Sequence, residues 1–189
     1  MLNITARQEL MRTIVETLGV VVEEARLDFG EDGLSVRVVD PSHVAMIRMD
    51  VDSAAFDTWD VDDTKLGLEM RKLKEILTQG QGTDAVYMSH DDATGQVSVK
   101  IGRIDLTMRP LDNTTLNPPN VPELDLPCGV TISGAELAQA IRASKLVSDL
   151  VNMSLTESQF SVNVKGPNSE VNADFSKDEL LAIDCSEPA

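Results

Sequence analysis

Several short stretches bring together side chains that could do chemistry, and each is weakened by what surrounds it. His90-Asp91-Asp92 offers an imidazole and two carboxylates, the donor types of a metal site. Thr94-Gly95 follows at once, which reads as a solvated hairpin tip. Asp60-Val61-Asp62-Asp63 has the acid density of a calcium loop but lacks its central glycine and closing glutamate. Gly80-Gln81-Gly82 is not followed by Lys-Ser or Lys-Thr, so it is no phosphate loop. Cys128 and Cys185 have no histidine nearby in sequence, and a structural or incidental role is expected for both. His43, taken alone, reads as a loop histidine. No catalytic triad or carboxylate dyad stands out. The expectation is a protein that is not an enzyme and uses no cofactor and no metal.

What the sequence does carry is a charge distribution. The chain has 189 residues, 16 Lys+Arg and 32 Asp+Glu, for a net charge of −16. A general nucleic-acid coat would be basic overall. The acid is spread along the chain and rich in Asp, as at Asp91, Asp92, Asp112 and Asp125. Such a surface stays hydrated and self-repelling, and it reads as adaptation to a salty cytoplasm, the alternative being an ordinary acidic protein. The surplus is not uniform. Periodicity predicts helices over Arg7–Val22, Leu68–Gly80 and Ala135–Asp149, and these hold 7 basic and 6 acidic residues. The helices therefore carry +1 and the rest of the chain −17. Arg12, Arg71, Lys72, Lys74, Arg142 and Lys145 lie on these helices, with Arg12 and Arg71 opposite the apolar stripes. These are either ordinary solvated helix faces or a surface where sparing acid locally keeps one face tolerable for phosphate.

The elements that must position those cations alternate between strand and helix. Met1–Ala6 reads as a strand. In the first helix Leu10, Ile14, Leu18 and Val21 recur at helical spacing. Glu24–Phe29, Leu34–Val39 and Ala45–Val51 alternate as strands, the first two joined by the turn Gly30-Glu31-Asp32-Gly33. The second helix turns Leu73, Ile76 and Leu77 to one side. Ala85–Ser89, Gln96–Ile101 and Ile104–Arg109 follow as a meander. Asp112–Pro127 holds Pro118, Pro119, Pro122 and Pro127 and reads as a stiff, extended linker.

After the linker the pattern restarts. Glu9, Leu10, Ile14 and Val20 reappear as Glu136, Leu137, Ile141 and Val147. Glu31, Ser35, Val36 and Val38 reappear as Glu157, Ser161, Val162 and Val164, one residue out of the first register. This predicts a duplicated domain: residues 1–111, a linker over 112–127, and a partial second copy over 128–189. The second copy stops after strands at Ala173–Phe175 and Leu180–Ile183, without the helix and meander that close the first. No apolar run approaches the ~18 residues of a membrane span, and the N-terminus lacks a signal peptide's basic start and apolar stretch. Two cysteines are too few for a disulfide framework. A soluble cytoplasmic protein is the default.

At Glu31-Asp32-Gly33-Leu34-Ser35-Val36-Arg37-Val38-Val39-Asp40-Pro41-Ser42-His43-Val44 the sequence resembles the replicative sliding clamps of archaea and eukaryotes, the PCNA family. Ala54-Ala55-Phe56 is similar to the family's segment leading to the next strand. Val121-Pro122-Glu123-Leu124-Asp125-Leu126-Pro127 resembles the end of its interdomain connecting loop. The Asp-rich surface resembles clamps of halophilic archaea.

The resemblance implies an α+β DNA-clamp (processivity) fold, a duplicated domain with helices on one face of antiparallel sheets. It implies a homotrimer closed head to tail around duplex DNA, with Arg12, Arg71, Lys72, Lys74, Arg142 and Lys145 facing the hole. It implies that the last strand of the first domain, through Arg103, Ile104, Leu106, Met108 and Leu111, pairs with Val171, Ala173 and Phe175 of a neighbouring subunit. It also implies a hydrophobic pocket from Val39, His43, Val44 and Met46 with Val121, Pro122 and Leu126. Such a pocket takes aromatic-anchored peptides of DNA polymerase, clamp loader, ligase and nuclease. The alternative is a truncated clamp-fold scaffold that binds partner peptides without encircling DNA.

Overall fold

The computed structural model describes residues 1–186. The chain divides into two compact units, Met1–Val121 and Pro122–Ala189. The proline-rich stretch is thus shared, residues 112–121 going with the first unit and 122–127 with the second.

In the first unit, β1 (Leu2–Arg7) leads into α1 (Gln8–Gly19). β2 (Glu24–Gly30), β3 (Gly33–Val39), β4 (Met46–Asp52), β5 (Thr58–Val61) and β6 (Thr64–Glu69) follow. α2 (Met70–Leu77) then precedes β7 (Ala85–Asp91), β8 (Gln96–Ile101) and β9 (Ile104–Met108). These make two antiparallel sheets, ordered β5-β1-β7-β8-β9 and β4-β3-β2-β6. Alternation buries Leu2 and Ile4 of β1, Leu27 and Phe29 of β2, and Leu34, Val36 and Val38 of β3. The helices cover the core, α1 burying Met11, Ile14, Val15 and Leu18 and α2 burying Met70, Leu73, Ile76 and Leu77.

The helices are shorter than their periodicity predicts. Val20 is 84% exposed, and Leu68 and Glu69 belong to β6, paired with Ala25 and Glu24 of β2. Apolar residues at 66, 68, 70 and 73 satisfy a strand and then a helix without a break, so the period alone does not mark the change. β5 and β6 are strands that the sequence pattern did not reveal. The start of α1 has no side-chain cap; its first amides reach Asp84 O at 2.8 Å and Gly82 O at 3.1 Å. Gln8, buried at that end, donates from Nε2 to Leu77 O at 2.7 Å and ties α1 to the end of α2.

The first part of the linker is fastened, not free. Leu111 N donates to Gly67 O at 2.8 Å, and Asn113 Nδ2 donates to Lys65 O at 2.6 Å. Gly67 makes this fit possible. A Cβ there would lie 2.7 Å from Leu116 Cδ1 and 3.0 Å from both Cβ and O of Leu111.

The second unit holds β10 (Cys128–Thr131), α3 (Gly134–Ser144), β11 (Asn152–Leu155), β12 (Gln159–Lys165), β13 (Glu170–Ser176) and β14 (Ala182–Cys185). β10 pairs with β14, as β1 pairs with β5, and β11-β12-β13 repeats β2-β3-β4. The second unit therefore follows the first through its fifth strand. Cys128 and Cys185, opposite each other in the β10–β14 register, form a disulfide. The pair is a bridge, not two incidental thiols. α3 buries only Ala140 and Ser144, while Leu146 and Leu150 beyond its end are 86% and 84% exposed. Lys145 caps α3 and is not inside it.

Candidate functional site

Two of the helical cations of the first unit, Arg12 and Lys74, meet at one carboxylate. Glu16 on α1 accepts from Arg12 Nε, one turn earlier, at 3.0 Å, and lies 3.3 Å from Lys74 Nζ on α2. These partners hold its carboxyl below the usual glutamate range, Arg12 more than Lys74. Arg71 reaches Glu75 at 3.9 Å along its own helix, and Lys72 reaches Glu69 at 2.5 Å. A groove of about 330 Å³ between α1 and α2 is edged by Glu16, Glu23, Arg71 and Lys74, with Val15 and Met70 at its base. Every cation of this face is exposed, Arg71 most at 83% of its side chain. Arg142 and Lys145 are exposed on the second unit and make no ion pair among the described residues.

The loop of the family motif is built around Asp40. Its Oδ1 accepts from the amides of Val44 and Ala45 at 2.7 and 2.6 Å, and its Oδ2 from Ser42 N at 2.9 Å. Three backbone donors, Ala45 most, hold this carboxyl below the usual aspartate range. The tight loop puts His43 at φ 57°, the left-handed region. Val44 at its tip is 86% exposed and Met46 37%.

Val39 lines a cleft of about 160 Å³ whose far wall is Thr115–Pro119, including Pro118 and Pro119. Val121 is 42% exposed at the end of the first unit. Pro122 and Leu126 are exposed residues of the second unit. The residues expected to form one pocket are thus divided between the two units.

The residues expected at a subunit boundary sit on sheet edges. β9 ends the order β5-β1-β7-β8-β9, and β13 ends the order β11-β12-β13. Among the described residues, each has one ladder of backbone groups without a partner strand. Ile104 is 44% exposed, whereas Leu106 and Met108 pack against the first unit's own core. Ala173 and Phe175 likewise pack inward on the second unit's core, and Val171 is half-buried. Arg103 lies in the turn before β9, and Leu111 bridges to Gly67 beyond its end.

The acidic turns are occupied with local work. Asp91 accepts from Ala93 N and Thr94 Oγ1, both at 2.9 Å, which closes the hairpin tip. No cluster of three His, Cys, Asp or Glu poised for a metal occurs among the described residues. No helix there is long and apolar enough to cross a membrane.

The family model described as "Proliferating cell nuclear antigen, N-terminal domain" matches residues 1–105. The chain belongs to the PCNA family. The DNA polymerase sliding clamp of Methanosarcina barkeri is 31% identical over 180 residues, covering 95% of this chain and 74% of the relative. That of Haloarcula marismortui is 26% identical over 186 residues, covering 97% and 75%. Among solved structures, A. fulgidus PCNA bound to the C-terminal region of FEN-1 superposes with a TM-score of 0.93 at 27% identity. It covers 99% of this chain and 77% of its own. The α+β PCNA clamp fold is therefore the fold of this chain.

Two carboxylates that organise the candidate site of this PCNA-family chain do not stand out in the sequence. Glu16 is visible as an i,i+4 partner of Arg12, but its contact with Lys74 exists only once α1 and α2 pack. Asp40 could have been found, since Asp followed by Pro-Ser is the signature of an Asx turn.

Proposed function

We propose that the chain is a DNA sliding clamp. Three copies join head to tail, the free edge of β9 on one subunit pairing with that of β13 on the next. The ring encircles duplex DNA with α1, α2 and α3 inward. Its outer face tethers polymerase, clamp loader, ligase and nuclease peptides near Val39, His43, Val44, Met46, Val121, Pro122 and Leu126. The chain is then a scaffold and not a catalyst.

The observation that carries this reading is the surface around Glu16. Arg12, Lys74 and Arg71 are exposed together on a chain of net charge −16, yet each has a glutamate within 4.0 Å. A lining of this kind attracts phosphate weakly. Weak attraction suits a ring, because a closed ring needs no affinity to stay on DNA and must not stick while it slides. At ~1 M salt the screening length is about 3 Å, so strong basicity would add little there. The acidic remainder repels phosphate and favours threading over side-on binding.

The free edges support assembly. With flanking residues counted, β9 has Arg103 and Arg109 against Asp105, and β13 has Glu170 and Asp174 against Lys177, so the two edges differ in net charge sign. Pairing them satisfies backbone groups that otherwise depend on water.

The test is mass in solution at high salt, by sedimentation at micromolar concentration. A species of three chains is expected. A monomer there overturns ring formation and leaves a peptide-binding scaffold as the reading.

A further inference from the structure

The face of the β4-β3-β2-β6 sheet turned away from the core carries an arrangement that a chain of this charge should avoid. Arg37 on β3 and Arg48 on β4 are direct cross-strand partners. Like charges placed opposite each other destabilise a strand pair. Three other strand cations show the usual solution: Lys65 faces Asp28, Lys100 faces Asp105 and Lys165 faces Glu170. Asp50 only partly relieves the pair. It accepts from Arg48 Nε at 2.9 Å and from Ser35 Oγ at 2.9 Å, while Arg37 has no ion pair within 4.0 Å among the described residues.

The pair also has a cavity to serve. Arg37, Arg48 and Ser35 line an open cleft of about 480 Å³ with Asn120 and Val121 of the linker. Arg37 is shared with the smaller cleft closed by Pro118 and Pro119. The cleft thus combines guanidinium forks, an amide and an apolar wall, all within the first unit. Guanidinium presents parallel N–H donors at the spacing of a carboxylate, and bidentate pairs tolerate salt better than distant charges do.

We propose that the Arg37–Arg48 pair, in the cleft edged by Asn120 and Val121, binds carboxylate side chains flanking the anchor residues of a docking peptide. It thereby selects acidic partners. This rests on the docking reading given above and adds a specificity determinant to it. The neighbouring like charge is a cost in the free chain, partly offset by Asp50, that an incoming carboxylate lowers further.

The experiment uses fluorescein-labelled synthetic peptides with one aromatic anchor pair and three flanks: Asp/Glu, Gln or Lys. Binding to the full chain is read by anisotropy, with Arg37→Gln/Arg48→Gln and Val44→Asp variants alongside and a short duplex DNA as competitor. The acidic flank is expected to bind about tenfold tighter than the Gln flank at low salt. The double variant should reduce that ratio to about one and leave the Gln peptide unchanged. Equal binding of acidic and Gln flanks, or a preference that survives the double variant, overturns the inference while the docking reading stands. Displacement of the acidic peptide by duplex DNA in wild type but not in the double variant also overturns it, because the arginines then serve phosphate. If the acidic peptide alone binds, Val44→Asp decides: weakened binding keeps both readings, and unchanged binding overturns the docking reading and the inference that rests on it. If neither binds, both fall.

Discussion

Lys74 Nζ on α2 lies 3.3 Å from Glu16 Oε1 on α1, the oxygen that also accepts from Arg12. One acid therefore serves two cations from two helices, and on the proposed reading it tempers the positive charge that this face turns to DNA. Glu16→Gln leaves the packing of α1 and α2 intact and frees both cations. The slope of log affinity against log salt for duplex DNA should steepen by roughly 1 to 2, since each phosphate contact contributes about 0.9. The reverse change, Arg71→Glu with Lys72→Glu and Lys74→Glu, should slow loading or sliding without altering peptide binding. Salt titrations and single-molecule tracking read the two effects. Unchanged DNA behaviour in both would refute the lining assignment.

Acidification should loosen the Asp40 loop. Backbone donors hold Asp40 below the usual carboxylate range, and Arg12 and Lys74 do the same for Glu16. A group whose folded value is depressed contributes stability that is complete above its unfolded value and lost as pH falls through the folded value. The urea midpoint should therefore be flat above the ordinary carboxylate range and fall below it. Asp40→Asn should reduce that pH dependence and raise amide exchange at Val44 and Ala45. A wild-type profile shared by Asp40→Asn would remove Asp40 from the account.

Gly67→Ala should unfasten the linker. The added methyl meets Leu111 and Leu116 at 3.0 Å or less, and overpacking of this kind costs about 1–3 kcal/mol. Chemical denaturation gives the loss, and faster proteolysis between Leu111 and Val121 gives its location. Unchanged cleavage would show that the linker is not held there.

Reducing the Cys128–Cys185 bridge should weaken the second unit. The bridge spans 57 residues of sequence separation, for which chain entropy predicts about 4 kcal/mol. Thermal melts of oxidised and reduced, alkylated protein should differ in the transition of the second unit alone. Superimposable melts would mean the bridge stabilises nothing.

The strands Leu34–Val39 and Gln96–Ile101 were legible because alternation and flanking turn residues agree. The duplication was legible because β12 repeats β3 at a fixed offset. The β6–α2 junction was not, because Leu66, Leu68, Met70 and Leu73 fit two periods in succession. Neither was β5, whose four residues pair with β1 far away in sequence. The cations of the candidate site are visible as a spared patch, but the cross-helix contact between Lys74 and Glu16 is not. Arg37 and Arg48 were invisible as a pair, since only the β3–β4 register brings them face to face.

Encirclement is tested most directly by threading. The chain is incubated at high salt with linear duplex whose ends are open, or blocked at both ends by a bulky protein cap, and bound protein is counted after washing. A clamp that closes around DNA gains access over open ends and none over blocked ends, and it is retained only if capping follows threading. Equal binding to open and blocked duplex would contradict the account.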